Sequence, residues 1–288
     1  METYWNILIF IIILFLYMHI IDQYKKSEDL EIYEMDYVSN NDLQSICNIK
    51  QPVLFELTNE ITLENIEEKS QYDVKVRDTK DNSDYILLKF DSFKTLIDTD
   101  SESHFITENN HEFIEESGLY NSFSSLNDSL KPVFSVNTQY DILMGSKNSY
   151  TPLRYHTNDR LFYLVVSGKI RVKMTPWKSS KYLNPIMDYD NYEFRSDVNP
   201  FDSDETGKIK FLEFDVLANY ALYIPPYWWY TIQYIESDTL VLGAKYISMM
   251  NLIANSHHLF KYYIQQYSTK TKVVRTLISE KENLSTII

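Results

Sequence analysis

Ala221-Leu222-Tyr223-Ile224-Pro225-Pro226-Tyr227-Trp228-Trp229-Tyr230 is the stretch that decides the fold. Four apolar residues make a short strand, two prolines end it, and an aromatic run begins the next. Upstream, Ile142-Leu143-Met144-Gly145 closes a strand, and Thr151-Pro152-Leu153-Arg154-Tyr155-His156 follows. Adjacent tryptophans after two prolines are rare by chance.

Outward from these stretches the pattern stays β. Tyr140 to Gly145, Leu161 to Val166 and Ile170 to Met174 read as strands, the last two joined at Gly168. Phe211 to Phe214, Ala221 to Ile224, Tyr230 to Tyr234 and Thr239 to Tyr246 read the same way. Evenly spaced short strands predict a double-sheet jelly roll. Residues 177–208 are polar and Asp-rich, with Pro185 and Pro200, and read as a long surface loop or lid. Nearer the N-terminus, Asn40 to Ile49 reads as a helix with an Asn cap, and Pro52 to Leu57 as a strand. Tyr72 to Val76 and Tyr85 to Phe90 read as strands, and Asp91 to Ile97 and Glu112 to Leu119 as short helices. Asn251 to Tyr267 carries an apolar stripe at helical spacing, and a weaker helix is expected over 271–284.

The two quoted stretches resemble the jumonji-C/cupin-like family, specifically the branch of the asparaginyl hydroxylase of hypoxia-inducible factor. Ile32 to Glu56 resembles that family's opening segment, so the likeness spans about residues 30–250. It implies a mainly β fold, a double-stranded β-helix (jelly roll/cupin) with flanking helices. It also implies an iron(II) facial triad of His, Asp and His, with 2-oxoglutarate chelating the metal.

The triad positions depart from that pattern. By position they fall on Arg154, His156 and Tyr230. Arg is a permanent cation with no lone pair to offer. Tyr would ligate only as a phenolate, and a facial triad needs imidazoles and a carboxylate. Asp159, Glu213, His257 and His258 are the other donors that a slipped register would bring into question. The family's 2-oxoglutarate lysine position is Ile170, flanked by Lys169 and Arg171. By resemblance, Thr151 is a cosubstrate contact and Trp228 and Trp229 form a pocket wall; as residues alone they read as packing. Three readings stay open. The domain has lost catalysis, needs no cofactor and serves as a binding or structural module. It is an active iron(II)/2-oxoglutarate hydroxylase with an atypical site. Or Arg154, joined by Lys169 or Arg171, senses a small anion, against the plainer expectation that Arg154 pairs with an internal carboxylate.

One apolar run precedes this body. Ile7 to Leu16 is unbroken, and Trp5, Tyr17 and Ile21 extend it to about 18 residues, enough to cross a bilayer. No basic n-region or small-residue cleavage site marks a signal peptide, and no polar face marks a core helix. The expected organisation is an anchor and linker over 1–28, the jumonji-C/cupin-like domain over 29–250, and a helical tail over 251–288. Lys25 and Lys26 follow the run and no cation precedes it, which predicts a cytoplasmic body. The lone Cys47 excludes an internal disulfide and agrees with a reducing compartment. A net charge of −14 argues against nucleic acid as a partner. The expected partners are membrane lipid, through the first helix, and a second copy, through the C-terminal helix.

Overall fold

The computed structural model describes residues 2–80, 85–201 and 207–268. Helix α1 (Glu2–Gln23) opens the chain. Its 22 residues span ~33 Å, about one hydrocarbon core. Its segment Tyr4–Gln23 is long and apolar enough to cross a membrane, and none of it is buried in the body.

Among the described residues the strands form two sheets. The first holds β1 (Tyr33–Met35), β2 (Val53–Glu56), β3 (Asp73–Asp78), β4 (Tyr85–Lys89), β5 (Phe105–Thr107), β6 (Ser135–Gly145), β8 (Arg160–Ser167), β13 (Tyr220–Ile224) and β15 (Leu240–Ser248). Their order is β1-β2-β13-β8-β15-β6-β5-β3-β4. The second holds β7 (Arg154–Tyr155), β9 (Lys169–Thr175), β10 (Ile186–Asp188), β11 (Glu193–Arg195), β12 (Leu212–Leu217) and β14 (Trp229–Tyr234), in the order β10-β11-β7-β14-β9-β12. From β6 to β9 the chain changes sheet at every strand, and it does so again from β12 to β15.

Residue alternation along each strand sorts the side chains into three clusters. Ile170, Val172 and Met174 of β9 face Tyr163, Val165 and Leu161 of β8, which makes the core between the sheets. Phe162 and Leu164 of β8 point the other way, into a layer of helices. That layer includes α2 (Asn40–Cys47), α4 (Phe90–Thr99) and α5 (His111–Glu116), which bury Leu43, Phe93 and Phe113. Because both faces of the first sheet are covered, β8 reads as a continuous apolar run. Tyr155, Phe194, Tyr227 and Trp229 form a third, aromatic cluster on the outer face of the second sheet.

Several sequence expectations shift in detail. Ser39, rather than an Asn, caps α2, its hydroxyl accepting from the Asp42 amide. The stretch read as one loop over 177–208 contains a 3-10 helix (Trp177–Tyr182) and the hairpin β10–β11. Phe194 pins that hairpin by stacking on Tyr155, with ring centroids 5.1 Å apart. Burial of aromatic area outweighs the polar composition around it. The single helix expected over Asn251 to Tyr267 is two, α8 (Met249–Ala254) and α9 (Ser256–Ser268). They break at Asn255, whose side chain turns inward to the Thr157 carbonyl. The helix expected over 271–284 lies outside the described residues.

The body is clamped to the end of α1. The Tyr24 hydroxyl donates to the Ala254 carbonyl, and the Asn251 amide donates to Gln23 at 3.2 Å. The Lys26 ammonium lies 3.8 Å from the Trp177 ring centroid and 4.5 Å from that of Tyr227. Two aromatic faces on one ammonium hold it electrostatically.

Candidate functional site

Arg154, His156 and Tyr230 do come together. β7 pairs with β14 so that Arg154 lies opposite Tyr230. Alternation then turns Arg154, His156 and Tyr230 into the space between the sheets, and Tyr155 and Trp229 to the outer face. The Arg154 guanidinium carbon is 5.7 Å from the Tyr230 ring centroid, and the His156 ring centroid is 6.2 Å from it. The Tyr230 and Tyr163 hydroxyls are 3.3 Å apart.

The guanidinium is held by two carboxylates from elsewhere in the chain. Arg154 Nη1 donates to Glu193 Oε1 at 3.0 Å and Nη2 to Glu108 Oε2 at 2.5 Å. Arg77 of β3 donates to both oxygens of Glu193, at 3.1 and 2.8 Å, and its Nη1 lies 3.4 Å from Glu108 Oε1. Tyr85 accepts from Arg77 at 2.7 Å and donates to Glu108 at 3.1 Å. Two guanidiniums and two carboxylates thus make a neutral, buried tetrad. Burial by itself would raise the Glu108 carboxyl, but Arg154 and Arg77 outweigh it and hold it below the usual carboxylate range.

His156 is buried beside this tetrad, and its Nε2 lies 3.0 Å from the Ile224 carbonyl. A carbonyl only accepts, so Nε2 carries the proton and Nδ1 keeps a lone pair. Burial pushes the imidazole down to about 3, against the Ile224 carbonyl, which favours the charged form. His156 Nδ1, Arg154 Nε, Trp228 Nε1 and Tyr234 Oη are buried with no hydrogen-bond partner among the described residues.

The other expected site residues are placed differently. Lys169 and Arg171 project from the outer face of β9, because Ile170 and Val172 take the inner positions. They pair with Asp215 of β12, at 2.7 and 2.9 Å. They add no cation to Arg154. Thr151 is a backbone staple: its amide donates to Ile232 O at 2.8 Å and its hydroxyl accepts from Ile232 N at 3.0 Å. Trp228 sits in the inter-sheet core, but Trp229 faces outward, with its Nε1 donating to Ser180 at 2.7 Å. A pocket wall of both tryptophans is therefore ruled out by strand alternation. Asp159 pairs with Arg160 at 2.9 Å and Lys50 at 3.6 Å, and Glu213 with Lys173 at 3.3 Å on the outer face. His258 hydrogen-bonds Tyr189 at 2.9 Å, outside the sheets.

These donors do not fit an iron(II) facial triad. One imidazole nitrogen stands near the Arg154 guanidinium, and the two carboxylates beside Arg154 already accept from it and from Arg77. Nor does the set fit 2-oxoglutarate, since Ile170 is apolar and both Arg154 terminal nitrogens are engaged. Among the described residues no three His, Cys, Asp or Glu side chains gather as a metal site. No protein-family model matches the chain, and no curated protein matches it significantly.

Glu108, Glu193 and Arg77 were not visible as site residues in the sequence. Glu193 lies in the stretch read as a loop, and Glu108 follows a strand with no strong pattern. Tyr192-Glu193-Phe194, a carboxylate between two aromatics, was the one local signal of a buried strand.

Two expectations follow. Arg154→Leu leaves the glutamate pair with one cation and should cost about 3–5 kcal/mol in chemical denaturation of the full chain. Adding Glu108→Gln restores neutrality around Arg77 and Glu193, so the double variant should be the more stable of the two; a further loss would sink this charge accounting. The second concerns pH. His156 has a folded value below its unfolded one, so acid favours the unfolded chain, which binds the extra proton. Its destabilising effect is absent above about pH 6.5 and grows as pH falls towards about 3. His258, lowered to about 4 by burial, acts in the same sense over part of that window. In His156→Gln the slope of thermal midpoint against pH should flatten between about 6.5 and 4.5, above the carboxylate range. An unchanged slope would show that His156 protonates freely.

Proposed function

We propose that this chain is a single-pass membrane protein whose body is a double-stranded β-helix related to the jumonji-C/cupin-like hydroxylases. In this reading it has lost their iron and 2-oxoglutarate chemistry and serves as a binding or structural module held at a membrane. The Arg77–Glu108–Arg154–Glu193 tetrad carries the reading, because it surrounds Arg154, the first triad position by resemblance, with paired charge. The strand order supports the fold assignment: β13-β8-β15-β6 in one sheet faces β7-β14-β9-β12 in the other, and the chain alternates between them. That winding, with the Pro225-Pro226-Tyr227-Trp228-Trp229 string, supports the family likeness. The length and exposure of α1 support the anchor.

An anion sensor built on Arg154 is the less favoured reading, since both terminal nitrogens of its fork are engaged by carboxylates. Lys25, which closely follows the anchor segment, supports a cytoplasmic body. Lys26 adds less to that vote, because Trp177 and Tyr227 hold its ammonium.

The catalytic question is tested on the full chain, loaded with iron(II) under anaerobic conditions and supplied with 2-oxoglutarate and oxygen. The expected result is no stoichiometric iron and no succinate above the protein-free control. Stoichiometric iron with succinate release would return the chain to the dioxygenases. Orientation is read separately with a C-terminal tag in sealed microsomes. Protease should remove the tag, and a protected tag would place the body in the lumen.

A further inference from the structure

Strand direction gives the body two ends. β15 runs from Leu240 to Ser248 and leads straight into α8, which is hydrogen-bonded to the end of α1. Ser135, at the start of β6, pairs with Ser248, so that strand begins at the same end. Leu217, paired with Lys169 beside the Gly168 turn, marks the opposite end.

The α1 end carries unusual exposed apolar residues. Tyr267 is 92% and Phe134 85% exposed, the two highest values for large apolar side chains outside α1 among the described residues. Phe134 precedes Ser135 and has a φ of 64°, which a bulky aromatic residue adopts only at an energetic cost. The β6–β15 register is irregular at Ile247/Ser248, next to it. On α9, His258 and Tyr262 face the body, where they meet Tyr189 and Tyr192. Phe260, Tyr263, Ile264 and Tyr267 are spaced as one helical face, and that face is exposed. Leu252 and Ile253 of α8 are also exposed, beside the end of α1.

Charge also changes along this part of the sequence. The chain as a whole is at −14, yet no Asp or Glu occurs between Asp238 and Glu280, a stretch that holds Lys245, Lys261, Lys270, Lys272 and Arg275. α9 itself carries Lys261 and no Asp or Glu, and a helix face of aromatic and aliphatic residues beside a cation is what the headgroup region of an anionic bilayer accepts. α9 starts two residues after Ala254, which accepts from Tyr24, the residue just past α1. With α1 as an anchor, that exposed face would begin near where the anchor leaves the bilayer.

We propose that α9 and the Phe134 loop form a membrane-seating surface, so that the body lies against the bilayer rather than hanging from a tether. The occupant is the lipid headgroup and upper acyl region, enriched in anionic lipid. This rests on α1 being an anchor.

The test uses the full chain in phosphatidylcholine/phosphatidylserine liposomes. Nitroxide labels are placed singly through Phe260→Cys, Tyr267→Cys and Phe134→Cys, with Phe10→Cys as the anchor control and Leu217→Cys as the distal control. Cys47 is fully buried and stays unlabelled. Relaxation by oxygen and by a water-soluble nickel chelate reports depth. The expected result is a hydrocarbon ratio at position 10, interfacial ratios at 134, 260 and 267, and an aqueous ratio at 217. If 10 is in lipid while 134, 260 and 267 match 217, the seating surface is wrong and the anchor stands. If 10 is aqueous, both fall. Dipolar broadening at 260 or 267 that disappears on dilution with unlabelled chain would make this face a contact between copies and overturn the lipid assignment.

Discussion

The buried tetrad of Arg77, Glu108, Arg154 and Glu193 is the constraint on which the rest of the body depends. Arg77 lies on β3 of the first sheet and Glu108 directly follows its β5, while Arg154 and Glu193 belong to β7 and β11 of the second sheet. The tetrad therefore braces one sheet against the other. Each charge is compensated, which is the condition for keeping four ionised groups out of water. Such clusters add little net stability over an apolar replacement, but they penalise other arrangements heavily. The hairpin β10–β11 illustrates this, since its register delivers Glu193 to two guanidiniums at once.

The tetrad also decides the chemistry of the site. The Arg154 guanidinium repels a divalent cation by charge, and the two carboxylates beside it already accept from Arg154 and Arg77. His156 beside it is buried and neutral, with one ring nitrogen on the Ile224 carbonyl. What remains is a packed interior with a few unpartnered polar atoms. The body's accessible features lie at its end near α1, where Lys26 is gripped by Trp177 and Tyr227 and where α8 meets the anchor.

Much of the fold was legible because it follows local rules. Alternation marked the strands from Tyr140 to Tyr246, and the Pro225-Pro226 step fixed the start of β14, hence the common face of Arg154, His156 and Tyr230. The loop over 177–208 was misread because its strands are three residues long and are held by contacts distant in sequence, among them Phe194 on Tyr155 and Glu193 on Arg77 and Arg154. Lys169 and Arg171 were misassigned to the pocket because the two cations flanking Ile170 share one face, and sequence alone does not say which face is inside.

The sequence by itself determined the apolar helix at the N-terminus, the β character of the body and the residue types that stand at 154, 156 and 230. Each of these is a matter of residue type and period along the chain. The tertiary structure alone decided what Arg154 meets. Glu108 lies 46 residues from Arg154, Glu193 39 residues from it, and Arg77 116 residues from Glu193. A buried charge demands a partner, but the strand order and sheet packing choose which one it meets.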